Sequence, residues 1–157
     1  MNTYHRTTTA SADAILLGGF KDATGRYMTT DVHSGVWVTA DGPWDLAIGG
    51  VPGDGALLVI EVPGAVFTKH EWVQDVGYRE ALVPAEVLNR YPIYRAIECD
   101  ECGAVAHENA PGWTRETVSA VRGPMELVGC PACGPRELAD YLATRTTAHH
   151  PTEGGTT

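Results

Sequence analysis

The most apolar stretch of the chain is Ala56-Leu57-Leu58-Val59-Ile60-Glu61-Val62, set between Gly53-Asp54-Gly55 and Pro63-Gly64. A short aliphatic run between turn formers is the pattern of a buried strand. Gly35-Val36-Trp37-Val38-Thr39 has the same character and is closed by the turn signal Asp41-Gly42-Pro43. Shorter strands are predicted over Asn2–Arg6 and over Arg79–Val83 ahead of Pro84, and Pro92–Ile97 leads into the first cysteine pair. Helical signals come early. Thr9 or Ser11 can cap a helix carrying Ala12, Ala14, Ile15, Leu16 and Leu17, and Gly18-Gly19 ends it with Phe20 packed behind. Residues 21–34 are polar and glycine-containing and read as a loop, and Trp44 to Ile48 as one helical turn. Near the end, Pro135 suits a first helical position, with Leu138, Tyr141 and Leu142 as an apolar stripe. From Thr144 the composition turns to Thr, His, Gly and Pro, which buries too little surface to order itself. His149 and His150 in this tail are expected to be solvated.

Several short strands with one early helix and no alternating strand–helix units define an α+β class. There is no internal repeat, no Gly-x-Gly-x-x-Gly fingerprint and no phosphate-binding Gly-Lys-Ser/Thr loop. The length, 157 residues, suits one domain with a small appendage. No apolar run approaches the roughly 20 residues of a membrane helix. Met1-Asn2-Thr3-Tyr4-His5-Arg6 lacks a secretory apolar core, so a cytoplasmic location is expected.

Charge narrows the partners. The chain carries 20 acidic and 11 basic residues, and the only lysines are Lys21 and Lys69. Neither the part before Cys99 nor the part after it is basic. A phosphate backbone calls for clustered Lys and Arg, so nucleic acid is an unlikely partner.

The four cysteines form two Cys-x-x-Cys pairs, Cys99-Asp-Glu-Cys102 and Cys130-Pro-Ala-Cys133, each followed by glycine. Such a turn converges two thiolates on one ion, and the glycines Gly103 and Gly134 supply the conformation that the knuckle needs. Four sulfurs leave no open coordination position, so the predicted Zn2+ site is structural. The pairs are 27 residues apart, longer than the common ribbon spacing, which leaves room for a loop around Pro111-Gly112. Two disulfides or a redox dithiol are the competing readings. Disulfides call for an oxidising compartment, and one redox centre does not account for two matched knuckles.

Three further segments stand in order along the chain: Tyr4-His5-Arg6-Thr7, Ser34-Gly35-Val36-Trp37, and Tyr78-Arg79-Glu80-Ala81-Leu82-Val83-Pro84. Together, over roughly residues 2–90, they resemble the motifs of the ADP-ribosyltransferase fold in its histidine–aromatic–glutamate branch. That family opens on a strand bearing His-x-Thr, followed by a helix that ends before a Gly-Phe-like step, here Gly19-Phe20. A Gly-(Ile/Val)-Tyr-like strand follows, and then a glutamate that opens a late strand. The resemblance implies a split-sheet domain over 1–98, to which the cysteine spacing adds a zinc ribbon and C-terminal helix over 99–143 and the composition a disordered tail over 144–157. It also implies NAD as substrate, with ADP-ribose passing to an unknown protein or small-molecule acceptor and nicotinamide released.

The chemistry fits those residue types. Breaking the bond between ribose and nicotinamide passes through an oxocarbenium-like transition state that a carboxylate stabilises. Glu80 takes that role. A cationic ring favours an aromatic face, the place of Trp37. His5 would fix the adenosine-side ribose, while backbone groups of Arg6 and Thr7 hold the nicotinamide amide. Two departures stand out. Trp37 replaces the usual tyrosine, which Tyr27 could supply instead, and Tyr78 occupies a position that transferases often give to an acid or glutamine. The second departure argues against arginine-directed modification. Plain structural roles are also open: a hydrogen-bonded His5, a core Trp37, a solvated Arg79–Glu80 ion pair, and Glu71-Trp72 as another acidic–aromatic pair. Two other functions belong beside the transferase. One is a non-catalytic binding module centred on the ribbon. The other, NAD-dependent removal of an RNA 2′-phosphate, calls for more basic residues than this chain offers.

Overall fold

The chain starts as β1 (Asn2–Thr8), which carries Tyr4 and three β-branched threonines, in a computed structural model that describes residues 1–26, 30–40, 42, 55–73, 78–120 and 123–134. The chain then turns into α1 (Thr9–Gly18). The cap is Thr8, one residue before Thr9 and three before Ser11, and its Oγ1 accepts from the Ser11 N–H at 3.1 Å. As expected, Gly19 closes the helix, with φ 79°. The predicted loop over 21–34 holds a short strand, β2 (Ala23–Gly25), which pairs with the start of β3 (His33–Thr39). The apolar run becomes β4 (Gly55–Glu61).

The sequence reading missed two helices. α2 (Gly64–His70) follows Pro63, which serves as its N-terminal boundary where a strand stop was read. After α2 come β5 (Glu71–Trp72) and β6 (Glu80–Val83), and then α3 (Ala85–Leu88) behind Pro84. The first turn of α3 has no local side-chain cap, but Asp22 Oδ1 accepts from the Ala85 N–H at 2.7 Å. β7 (Ile93–Glu98) carries the chain to the first cysteine pair.

Two compact units result, residues 1–96 and 97–157. In the first, the strands run in the order β5-β6-β3-β1-β4-β7, and every pairing is antiparallel. Alternation directs Val36 and Val38, Leu58 and Ile60, and Ala81 and Val83 into one core with Ala12, Phe20, Phe67 and Leu88 from the helical side. Leu57 and Val59 are buried as well, so β4 is covered on both faces, as its unbroken apolar run implies. Asn89 clamps Phe20 at two points: Oδ1 accepts from the Phe20 N–H at 2.7 Å, and Nδ2 donates to the Phe20 carbonyl at 3.0 Å.

The ladders are unequal. β1 pairs with β4 through seven residue pairs, from Asn2↔Glu61 to Thr8↔Gly55. With β3 it pairs only at Tyr4↔Thr39. The sheet is therefore stitched loosely between β5-β6-β3 and β1-β4-β7, which leaves a seam.

The second unit contains β8 (Val105–His107), β9 (Thr114–Ala120) and β10 (Gly123–Gly129). β9 and β10 form an antiparallel hairpin in register from Gly123↔Ala120 to Gly129↔Thr114. The long gap between the cysteine pairs is thus mostly strand, with Pro111-Gly112 in a turn before β9. The predicted turn over Trp44–Ile48, the helix after Pro135 and the C-terminal tail lie outside the described residues. Among the described residues no helix is long and apolar enough to cross a membrane.

Candidate functional site

The cross-strand register builds a row. Trp72 on β5 stands opposite Glu80 on β6, Glu80 opposite Thr39 on β3, Thr39 opposite Tyr4 on β1, Tyr4 opposite Val59, and Val59 opposite Tyr94. Directly opposed residues project on the same side of a sheet. Trp37, two positions from Thr39, shares that face, and its ring meets the Trp72 ring at 5.5 Å and 73°. His33 packs edge-on against Trp72 at 4.6 Å. The structure thus brings together Trp37 and Glu80, and it adds Trp72.

Glu80 is buried, 6% exposed, and no cation bonds its carboxylate among the described residues. The ion pair with Arg79, the plain structural alternative for this residue, does not form. Alternation turns Arg79 to the other face, where its Nε and Nη2 donate to the Glu71 carboxylate at 2.7 and 2.9 Å. Its guanidinium also lies 4.9 Å over the Phe67 ring. Loss of water around Glu80 pushes its carboxyl pKa up. Tyr78 is raised in turn, first by desolvation and then by the Glu80 charge.

His5 alternates to the opposite face from Tyr4, with Leu58 as its partner on β4 and Phe20 edge-on at 5.3 Å. Its Nδ1 nevertheless lies 2.8 Å from the Trp37 carbonyl on β3. Strand carbonyls point along the sheet, so the imidazole sits at the seam and supplies a cross-strand bond there. A carbonyl only accepts, hence Nδ1 carries the proton. Burial lowers the His5 pKa against a smaller opposing effect of that hydrogen bond. The ring is therefore held neutral, with Nε2 as an acceptor. Arg6 and Thr7 are half-buried on β1, opposite Leu57 and Ala56. Tyr27, the other aromatic candidate, lies outside the described residues.

The second site is the cysteine cluster. The Sγ atoms of Cys99, Cys102, Cys130 and Cys133 all lie within 4.8 Å of one another, and Cys102 and Cys130 are 3.6 Å apart. A tetrahedral zinc bound at about 2.3 Å sets its sulfurs about 3.8 Å from each other. The cluster has the dimensions to hold such an ion. Both knuckles fold alike. The Gly103 N–H donates to the Cys99 carbonyl and the Gly134 N–H to the Cys130 carbonyl, each at 2.9 Å. The two glycines have φ 69° and 65°, the left-handed region where a Cβ is strained. Amides aim at sulfur as expected: the Cys133 N–H donates to Cys130 Sγ, and the Cys130 N–H to Cys99 Sγ, both at 3.4 Å. The first of these amides is the main reason the Cys130 thiol is lowered to about 7. Cys133 is pushed up, chiefly by the Cys102 sulfur beside it. Four thiolates this close cannot all ionise without a cation among them.

Asp100 fixes the first knuckle on the hairpin. Its N–H donates to the Val128 carbonyl at 2.9 Å, and its Oδ2 accepts from the Val128 N–H at 2.6 Å. Asp100 does not stand out in the sequence, and Trp72 does so only as half of the Glu71-Trp72 pair. The place of Trp72 opposite Glu80 is recognisable only once β5 and β6 are in register, and Asp100 only as the first residue inside a knuckle. No family model, curated protein or solved structure matches the chain.

Proposed function

We propose that the first unit is an NAD-dependent ADP-ribosyltransferase domain and that the second is a ribbon folded around structural zinc. The observation that carries the first half is Glu80: a buried carboxylate without a cationic partner among the described residues, on one face with two indoles. A carboxylate left in that state is costly to the fold and suited to stabilising a cation that develops on a substrate. In this reading the nicotinamide end of NAD lies against Trp37, and Glu80 stabilises the ribosyl cation as the glycosidic bond breaks. The loosely stitched seam between β1 and β3 admits the dinucleotide. His5 lies on the opposite, core face from Trp37 and Glu80, so in this reading it braces the seam through its Nδ1 bond to the Trp37 carbonyl and does not touch the dinucleotide itself. The backbone of Arg6 and Thr7 borders the same seam and holds the carboxamide. The acceptor is a protein or small molecule, because the chain is acidic.

Zinc in the second unit would be bound by Cys99, Cys102, Cys130 and Cys133. It has no open position and takes no part in the transfer.

A second reading, a non-catalytic module that binds through its ribbon, draws on the alternation that sends His5 to the core face beside Phe20. Calorimetry with NAD separates the two. The transferase reading expects heat of binding, weakened roughly tenfold in His5→Ala, because the seam loses one bracing hydrogen bond worth about 1.4 kcal/mol. Absence of heat with the zinc-loaded protein overturns it in favour of the module.

A further inference from the structure

With zinc among them, the four sulfurs of the cysteine cluster are chemically alike, because a bound cation keeps every ligating thiol deprotonated. Their surroundings differ. Cys99 is 1% exposed and Cys130 4%, whereas Cys133 is half-buried and Cys102 is exposed. Each knuckle thus hides its first sulfur and turns its second toward solvent. The two hidden sulfurs each accept an amide, Cys99 from the Cys130 N–H and Cys130 from the Cys133 N–H. Asp100, Glu101, Cys102 and Gly103 are exposed in succession, so the first knuckle opens the Cys102 sulfur to water. Across the knuckles, that sulfur lies 3.6 Å from Cys130 Sγ.

A thiolate that solvent reaches is the form that peroxides oxidise, and burial protects the same group elsewhere. We propose that Cys102 is a site of oxidation by small hydroperoxides, that Cys130 resolves it to a disulfide across the knuckles, and that the ribbon thereby gives up its metal. This rests on the zinc reading of the same cluster. Cys102 Sγ attacks one peroxide oxygen, the O–O bond breaks, and hydroxide departs, leaving a sulfenic acid on Cys102. The Cys130 thiolate then attacks that sulfur, and a second hydroxide leaves as the S–S bond forms. The two thiolates supply the two electrons that reduce one hydrogen peroxide. To reach a bond of about 2.05 Å from 3.6 Å, the sulfurs have about 1.5 Å to close. Only two ligands then remain, too few for a four-coordinate ion. Asp100 and Glu101 place negative charge beside Cys102, which favours an uncharged oxidant over an anionic one.

The test treats the full chain, its zinc content first measured by elemental analysis, with up to one equivalent of hydrogen peroxide. Dimedone traps any sulfenic acid in one sample, and a chromophoric chelator reads freed metal in another. Peptide mass spectrometry is expected to find dimedone first on Cys102 and, where dimedone is omitted, a Cys102–Cys130 disulfide. About one zinc should be released per peroxide consumed, and a thiol reductant with added zinc should restore the loaded chain, because a disulfide is reversible. Cys102→His keeps a ligand at that position without a sulfur, and should lose its metal roughly tenfold more slowly. If that variant binds no zinc, the adduct and disulfide maps of the wild type decide alone. A first adduct on Cys99, Cys130 or Cys133, a disulfide within one knuckle, or zinc retained while peroxide is consumed overturns the proposal. A chain that carries no zinc as purified fails earlier, at the zinc reading itself, and takes the proposal with it. Zinc that is bound but stable to peroxide removes the proposal alone.

Discussion

Glu80 and His5 both hold their protonation state against water, and each therefore leaves a mark on stability against pH. Glu80 has a folded pKa above its ordinary 4.5, because burial disfavours the charged form. Its contribution to stability is full below that value and is lost as pH rises through the folded pKa. Glu80→Gln removes this cost and is expected to leave the melting temperature unchanged or higher at neutral pH. The difference from wild type should widen between acid and neutral pH in a series of thermal melts. A large loss of melting temperature would instead make Glu80 a structural anchor. His5 is the opposite case, with a folded pKa below 6.5. The stability it secures is present above 6.5 and is lost as pH falls toward the folded value. His5→Gln should therefore flatten the acid limb of the stability profile that starts near that pH. At this scale the sequence was informative where residue type alone carries chemistry: the cysteines, their glycines and the Glu80 carboxylate. The partner of Arg79 was not legible, because adjacent residues in a strand point to opposite faces and only the register shows that Glu71 is within reach.

Elements with strong local signals were legible. The apolar run of β4 and the Gly18-Gly19 end of α1 are where the residues put them. Short helices were not. α2 has seven residues and α3 four, too few for a periodic pattern, and each starts behind a proline that also reads as a strand stop. Tertiary contact, not propensity, holds them in place. Phe67 on α2 is fully buried in the main core, so Phe67→Ala should cost about 3–5 kcal/mol, measured by urea unfolding. At the start of α1, Thr8→Ala removes the cap on the Ser11 N–H and should cost about 1 kcal/mol by the same measurement. Equal effects of the two variants would mean that α2 is not packed as described.

For the whole molecule, the division at residues 96 and 97 falls inside β7. An α+β chain with a four-cysteine cluster was legible from composition, spacing and turn signals. The order of the strands was not, because register between distant segments leaves no local trace. The cysteine cluster makes its own prediction: the purified chain should carry about one zinc per molecule by elemental analysis. Cys130→Ser should lose that metal, and a strong chelator should abolish the protection of β9 and β10 against amide exchange. Full protection in metal-free protein would contradict a zinc-dependent second unit. The transferase claim is decided by nicotinamide release from NAD, comparing the wild-type zinc-loaded chain with Glu80→Gln at neutral pH. The account predicts release by the wild type and a loss of roughly a hundredfold or more in a variant that still melts normally. No release by the wild type, or equal release by both proteins, would contradict it.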